Sequence, residues 1–114
     1  MEKIVEQTLL YDFYGELLTE HQKAIYEDVV FNDLSLSEVA EMQGISRQGV
    51  HDLIRRCDKI LLGYEAKLHL IARFHQSKQL VDEMYQVMEK FAESKDDALM
   101  PMITELYHKV LKEI

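Results

Sequence analysis

A chain of 114 residues, 47% hydrophobic and 30% charged, is the size of one domain: ample for a single core, cramped for two. Its one cysteine excludes an internal disulfide, and no CxxC or Cys/His cluster points to a metal, so no cofactor is expected. Charges at Glu2, Lys3, Glu6, Asp12, Glu16 and Glu20 break the N-terminal stretch too often for a signal peptide or membrane span, and the reading is a cytoplasmic protein without membrane insertion.

One proline, four glycines and no tryptophan leave few helix breakers, so an all-α chain is expected, a single domain over residues 1–114. The spacing predicts a first helix near residues 2–17, with Ile4, Val5, Leu9, Leu10, Phe13, Tyr14 and Leu17 on one face that covers the next two helices. Thr19 followed by Gln22 has capping-box spacing and starts a second helix. Its apolar positions are Ala24, Ile25, Val29 and Val30, with Tyr26 flanking, and Asn32-Asp33 ends it. Ser35 with Glu38 repeats the box and opens a short third helix through Val39, Ala40 and Met42. Gly44 suits a left-handed turn, and Ser46 is a third N-cap.

From Ser46 the apolar pattern hardly stops: Val50, Leu53, Ile54, Cys57, Ile60, Leu61, Tyr64, Leu68 and Ile71 follow at helical steps. Leu53, Cys57, Ile60, Tyr64, Leu68 and Ile71 approximate a heptad seam, for which two partners are open: a second copy, giving a homodimer, or the chain's own C-terminal helices. A joint is expected near residues 75–78. Leu80, Val81, Met84, Val87, Met88 and Phe91 then mark another helix, and Leu99, Ile103, Leu106, Val110 and Leu111 a last one, with Pro101 in its first turn. These two form a helical hairpin, so residues 58–114 read as a helical or dimerisation part behind a helix-turn-helix core at residues 19–57.

Charge is unevenly placed. Residues 1–45 balance at −8, residues 46–78 at +4 and residues 79–114 at −4, which concentrates positive charge on the segment following the turn. There, Ala40 permits close approach of two helices, Gly44 makes the turn, and Ile45 and Val50 plug the angle between them. Val50, Ile54 and Cys57 face inward, which leaves Arg47, Gln48, His51, Asp52 and Arg55 outward, where a recognition helix meets base edges.

The run Leu-Ser-Leu-Ser-Glu-Val-Ala at 34–40 with Ile-Ser-Arg-Gln-Gly-Val at 45–50 resembles region 4 of bacterial sigma-70-type factors, the promoter-reading part. Together with Leu10-Tyr11-Asp12-Phe13-Tyr14-Gly15, the whole chain resembles the YlxM family of small DNA-binding proteins, whose genes tend to lie beside those of the signal recognition particle GTPases. The resemblance implies a sigma-region-4-like helix-turn-helix with a long recognition-side helix, double-stranded DNA as partner, and a regulatory part in the signal recognition particle pathway. Carried over residue by residue, Ser46 caps the recognition helix and touches phosphate. Arg47 and Arg55 contact phosphate or guanine, Gln48 pairs with adenine, and His51 reaches a base or a phosphate.

Arg55, Arg56 and Lys59 have two readings: contacts to DNA, or pairs with Asp52 and Asp58 on a solvated face. The acidic preceding helices, with Glu20, Glu27, Asp28, Glu38 and Glu41 against Lys23 alone, favour a second functional class, a protein-interaction module acting on the secretion or transcription machinery. Catalysis has no support: there is no phosphate loop, nucleophile elbow or HExxH pair, the five histidines are scattered, and Cys57 on the apolar face reads as a buried inert thiol.

Overall fold

The computed structural model describes residues 2–113, which form helices and turns and no strand. The order is α1 (Lys3–Tyr14), a 3₁₀ turn (Gly15–Leu17), α2 (Glu20–Tyr26) continued by a π turn (Glu27–Phe31), α3 (Leu36–Gln43), α4 (Arg47–Leu68), α5 (Leu70–Ser94), a 3₁₀ turn (Asp97–Leu99) and α6 (Met100–Glu113). The chain divides into two compact units, Met1–His69 and Leu70–Ile114. No helix among the described residues is long and apolar enough to cross a membrane.

The helix starts of the first unit follow from local chemistry. Thr19 accepts from the Gln22 amide at 3.1 Å while the Gln22 side chain accepts from the Thr19 amide at 2.9 Å. Ser35 and Glu38 repeat the exchange at 3.0 and 3.2 Å. Each box satisfies two orphan amide donors at a helix start. The end of α2 is wound more loosely: the Asn32 amide donates five residues back to Glu27, and Asp33, at φ 57°, turns the chain into α3.

Behind α3 and α4 the core comprises Leu10, Tyr14, Leu18, Ile25, Tyr26, Val39, Ala40, Val50, Ile54, Cys57 and Leu61. Tyr26, which the sequence pattern sets beside the apolar face, is 0% exposed, whereas Ala24 points to solvent. The reason is an aromatic cluster that periodicity cannot register: the Tyr26 ring stacks on Tyr11 at 5.5 Å, and Phe31 lies against both. Gly15 belongs to the same arrangement, since a Cβ there would stand 3.0 Å from the Tyr11 ring. Helix α1 packs on α4 rather than covering the next two helices, burying Leu10 and Tyr14 and meeting α2 through the Tyr11–Tyr26 stack; Ile4, Val5 and Leu17 remain exposed, so its buried stripe is narrower than the spacing suggested.

The face of α4 that carries Cys57 and Leu61 is filled by α1 and α2 of the same chain, with Tyr14 against Tyr64 at 6.1 Å. The helix does not run through Ile71. It stops at His69, φ 56°, whose amide donates to the Glu65 carbonyl, and α5 then continues unbroken through residues 75–78. Histidine is among the few side chains that enter the left-handed region with some frequency, and an apolar-periodicity reading passes over such a stop.

The second unit is a hairpin. Lys95 at φ 53° ends α5, Asp96 caps the next turn through the Ala98 amide at 3.0 Å, and Pro101 sits in the first turn of α6, where its missing donor costs little. Val87 and Lys90 of α5 share one hollow with Met102 and Leu106 of α6, as antiparallel helices place them.

Candidate nucleic-acid interface

The turn between α3 and α4 closes on itself before α4 begins. Gly44 lies at φ 67°, its amide reaches the Glu41 carbonyl, and the Ile45 amide donates to the Ala40 carbonyl at 3.1 Å. This paired closure requires the left-handed residue, and any side chain at Gly44 would be strained although space is open there. Ser46 then starts α4 by accepting from the Gly49 amide at 2.9 Å. The wedge between the two helices is Val39 with Val50, both 0% exposed, beside Ala40. Ile45 does not plug the angle: it contributes its amide to the turn and leaves its side chain 40% exposed, because the residue after a left-handed glycine departs from the apolar stripe of α3. Met42 is likewise exposed.

Every inward residue of α4 fixes the outward ones. Val50, Ile54, Cys57 and Leu61 are buried in steps of four, three and four, so the opposite surface bears two adjacent rows. Arg47, His51, Arg55 and Lys59 form the first, and Gln48, Asp52 and Arg56 the second; all seven are exposed. Arg47, Gln48 and His51 line one surface hollow of about 400 Å³, and Leu36 from the start of α3 closes its side. Arg55, Arg56 and Lys59 line a second hollow together with Asp52. Ser46 lies at the cap, at one end of the first row.

The pairing of Arg55, Arg56 and Lys59 with Asp52 and Asp58, the alternative reading of these cations, does not occur among the described residues. Asp52 instead accepts from Gln48 Nε2 at 3.0 Å, with His51 Nδ1 at 4.0 Å. Asp58 turns inward and accepts from Tyr26 Oη at 2.7 Å and from Gln7 Nε2 at 3.2 Å. Tyr14 likewise bonds to Glu65. These two carboxylates tie α4 to α1 and α2, and they are turned away from the row of cations. Burial, with Asp58 beside it, pushes the Cys57 thiol up to about 11, so this thiol is held protonated rather than reactive. The Tyr26 hydroxyl is raised further, by burial first and by its bond to Asp58 second.

The flank of α2 has the opposite sign. Lys23 is engaged with Glu16 at 3.0 Å and Glu20 at 3.5 Å, and Glu27 accepts from the Tyr11 hydroxyl, which burial and Glu27 raise. The unit therefore presents five cations of α4, Arg47, Arg55, Arg56, Lys59 and Lys67, clear of ion pairs among the described residues, beside a surface where acid dominates.

A family model described as "Putative helix-turn-helix protein, YlxM / p13 like" matches residues 1–101. The chain belongs to the UPF0122 family. A UPF0122 protein of Clostridium botulinum (strain Alaska E43 / Type E3) is 44% identical over 101 residues, spanning 88% of this chain and 93% of that one. One from Thermoanaerobacter sp. (strain X514) is 39% identical over 107 residues, 94% and 89% of the two chains. A third, from Caldanaerobacter subterraneus subsp. tengcongensis, is 48% identical over 86 residues, 75% of this chain and 68% of the other. The match takes in both helices of the helix-turn-helix and α5, and ends at the start of α6.

Sequence reasoning missed Leu36 as part of this surface. It lies eleven residues before Arg47 on a different helix, and only the crossing of α3 over α4 brings it there. The opening Leu-Ser-Leu-Ser run was the available signal, but nothing in its spacing separates a core leucine from one at the rim.

Proposed function

We propose that this protein is a DNA-binding regulator, not an enzyme, that lays the N-terminal half of α4 in the major groove of double-stranded DNA. One observation carries the reading: Arg47, Gln48, His51 and Arg55 stand together on an exposed ridge directly opposite buried Val50, Ile54 and Cys57. Arg47 and Gln48, nearest the helix start, meet base edges, with His51 beside them at a base or a phosphate. Ser46 and the α4 amides meet a phosphate, while Arg55, Arg56 and Lys59 continue along the backbone.

The hairpin supports a homodimer. Val81, Tyr85 and Met88 leave an exposed apolar stripe on α5 at heptad steps, distinct from the Met84, Val87 and Phe91 positions that are half-buried. A second copy covers that stripe, and two copies read two half-sites. A cytoplasmic location belongs to this proposal on the single cysteine and the charged N-terminal stretch, and a regulatory part in the signal recognition particle pathway on the family resemblance alone.

A second reading has its own observation. The exposed Glu20, Glu27, Glu38 and Glu41, with Lys23 already engaged, favour a basic protein surface over a phosphate backbone along α2 and α3. Duplex binding separates the two. On the DNA reading, affinity falls linearly on a log-log salt plot, with a slope of about −0.9 for each phosphate contact. Arg47→Ala then costs about 1–3 kcal/mol of binding. Absence of binding at low salt, or a flat salt response, overturns the DNA reading and leaves the protein partner.

A further inference from the structure

We propose that Leu36, Gln48 and Asp52 together read one A·T base pair, with Gln48 pairing to adenine, Leu36 receiving the thymine methyl, and Asp52 acting as a positioning residue for Gln48. The inference rests on the DNA reading above and deepens it.

Asp52 is the one carboxylate among the seven residues of the two outward rows, and a carboxylate facing DNA is unfavourable unless it serves another group. Its Oδ1 lies 3.0 Å from Gln48 Nε2, four residues back on the same helix face. An ionised carboxylate only accepts hydrogen bonds, so the amide must turn its nitrogen toward Asp52. That orientation leaves the second N–H and the Oε1 of Gln48 without a protein partner among the described residues. One donor beside one acceptor is the complement of adenine, which presents the N7 acceptor and the N6 donor in the major groove. Guanine offers two acceptors there and would leave Oε1 opposed to an acceptor.

Leu36 explains the rest of the hollow. It is the half-buried apolar member of a wall otherwise made of Arg47, Gln48 and His51. Thymine is the base whose major-groove edge carries a methyl group, and an apolar side chain is its usual partner. A leucine on α3 and a glutamine on α4 that share one hollow can meet the two bases of one pair, where neither helix alone could.

The test begins with duplexes selected by the full-length protein from a randomised pool, followed by binding measurements on the selected site. At one A·T pair, replacing adenine by 7-deazaadenine, which lacks the N7 acceptor, should weaken binding about fivefold or more. Replacing thymine at that pair by deoxyuridine should weaken it about fourfold, the worth of one buried methyl-sized group. Leu36→Ala should abolish the deoxyuridine effect and keep the 7-deazaadenine effect. Asp52→Glu keeps an acceptor-only carboxylate for Gln48, and Asp52→Ala removes it. Asp52→Glu should therefore retain the preference for adenine, and Asp52→Ala should lose it.

Tight, salt-dependent binding with no sensitivity to either base analogue at any A·T pair overturns this inference and leaves the DNA reading intact. Equal base preference in the two Asp52 variants overturns the positioning role. Failure to select any duplex overturns both the inference and the reading on which it rests.

Discussion

The two units solve the burial problem differently. In Met1–His69, Tyr14, Ile25, Tyr26, Val39, Val50, Cys57 and Leu61 are each essentially inaccessible, because α1, α2 and α3 surround one side of α4. In Leu70–Ile114, the apolar residues on the α5–α6 line, Met84, Val87, Phe91, Ile103, Leu106 and Val110, are only half-buried, and Val81, Tyr85 and Met88 are exposed. Two cylinders touch along a line and enclose no interior, whereas four elements do. The lesson is one of labour: the first unit can hold a recognition surface rigid by its own packing, and the second has apolar surface left over for association.

The largest effect expected from that contrast is on stability. Leu61→Ala should cost about 2–5 kcal/mol in urea denaturation, the range for a leucine emptied from a closed core. Leu106→Ala, on a half-buried line, should cost less than half as much at low protein concentration. Equal losses would erase the distinction between the units.

Alkaline pH should act on the first unit next. The Cys57 thiol ionises at its ordinary 9.0 when unfolded but holds its proton to about 11 when folded. The unfolded state therefore sheds this proton first, so its contribution to stability is complete below pH 9 and is lost as pH rises toward 11, on the order of 2 kcal/mol. Tyr26, also raised by burial and by Asp58, adds to the decline at higher pH. Denaturation midpoints measured from pH 7 to 11 should fall, and Cys57→Ser should flatten the first part of the slope. An unchanged slope in that variant would mean that the thiol is not the group responsible.

The smallest change in folding stability should come from the hairpin surface. Met88→Glu, on the exposed stripe of α5, should leave denaturation within about 0.5 kcal/mol of the parent when both are compared as monomers. In sedimentation at micromolar concentration it should shift the protein from dimer to monomer. A parent that sediments as a monomer throughout would remove the second copy as occupant of that stripe.

Much of the candidate surface was legible because it hangs on short-range rules. Ser46, Arg47, Gln48, His51, Arg55, Arg56 and Lys59 share the outer side of α4, as expected from Val50, Ile54 and Cys57 pointing inward. The role of Asp52 was not legible: a carboxylate near three cations reads as an ion-pair partner, and only the rotamers show it turned to Gln48. Asp58 was misplaced for the opposite reason, since its partners Gln7 and Tyr26 lie 51 and 32 residues away.

What the sequence determined by itself is whatever needs only neighbours within one turn of chain: the capping boxes at Thr19 and Ser35, the cap at Ser46, the left-handed Gly44, and the inward and outward sides of α4. Tertiary structure decided the rest. It chose Tyr26 over Ala24 for the core, drew Asp58 inside, and set Leu36 beside Gln48. Apolar periodicity marks which side of a helix is greasy, but what that side meets is set by segments distant in sequence, and burial energy is realised only when they arrive.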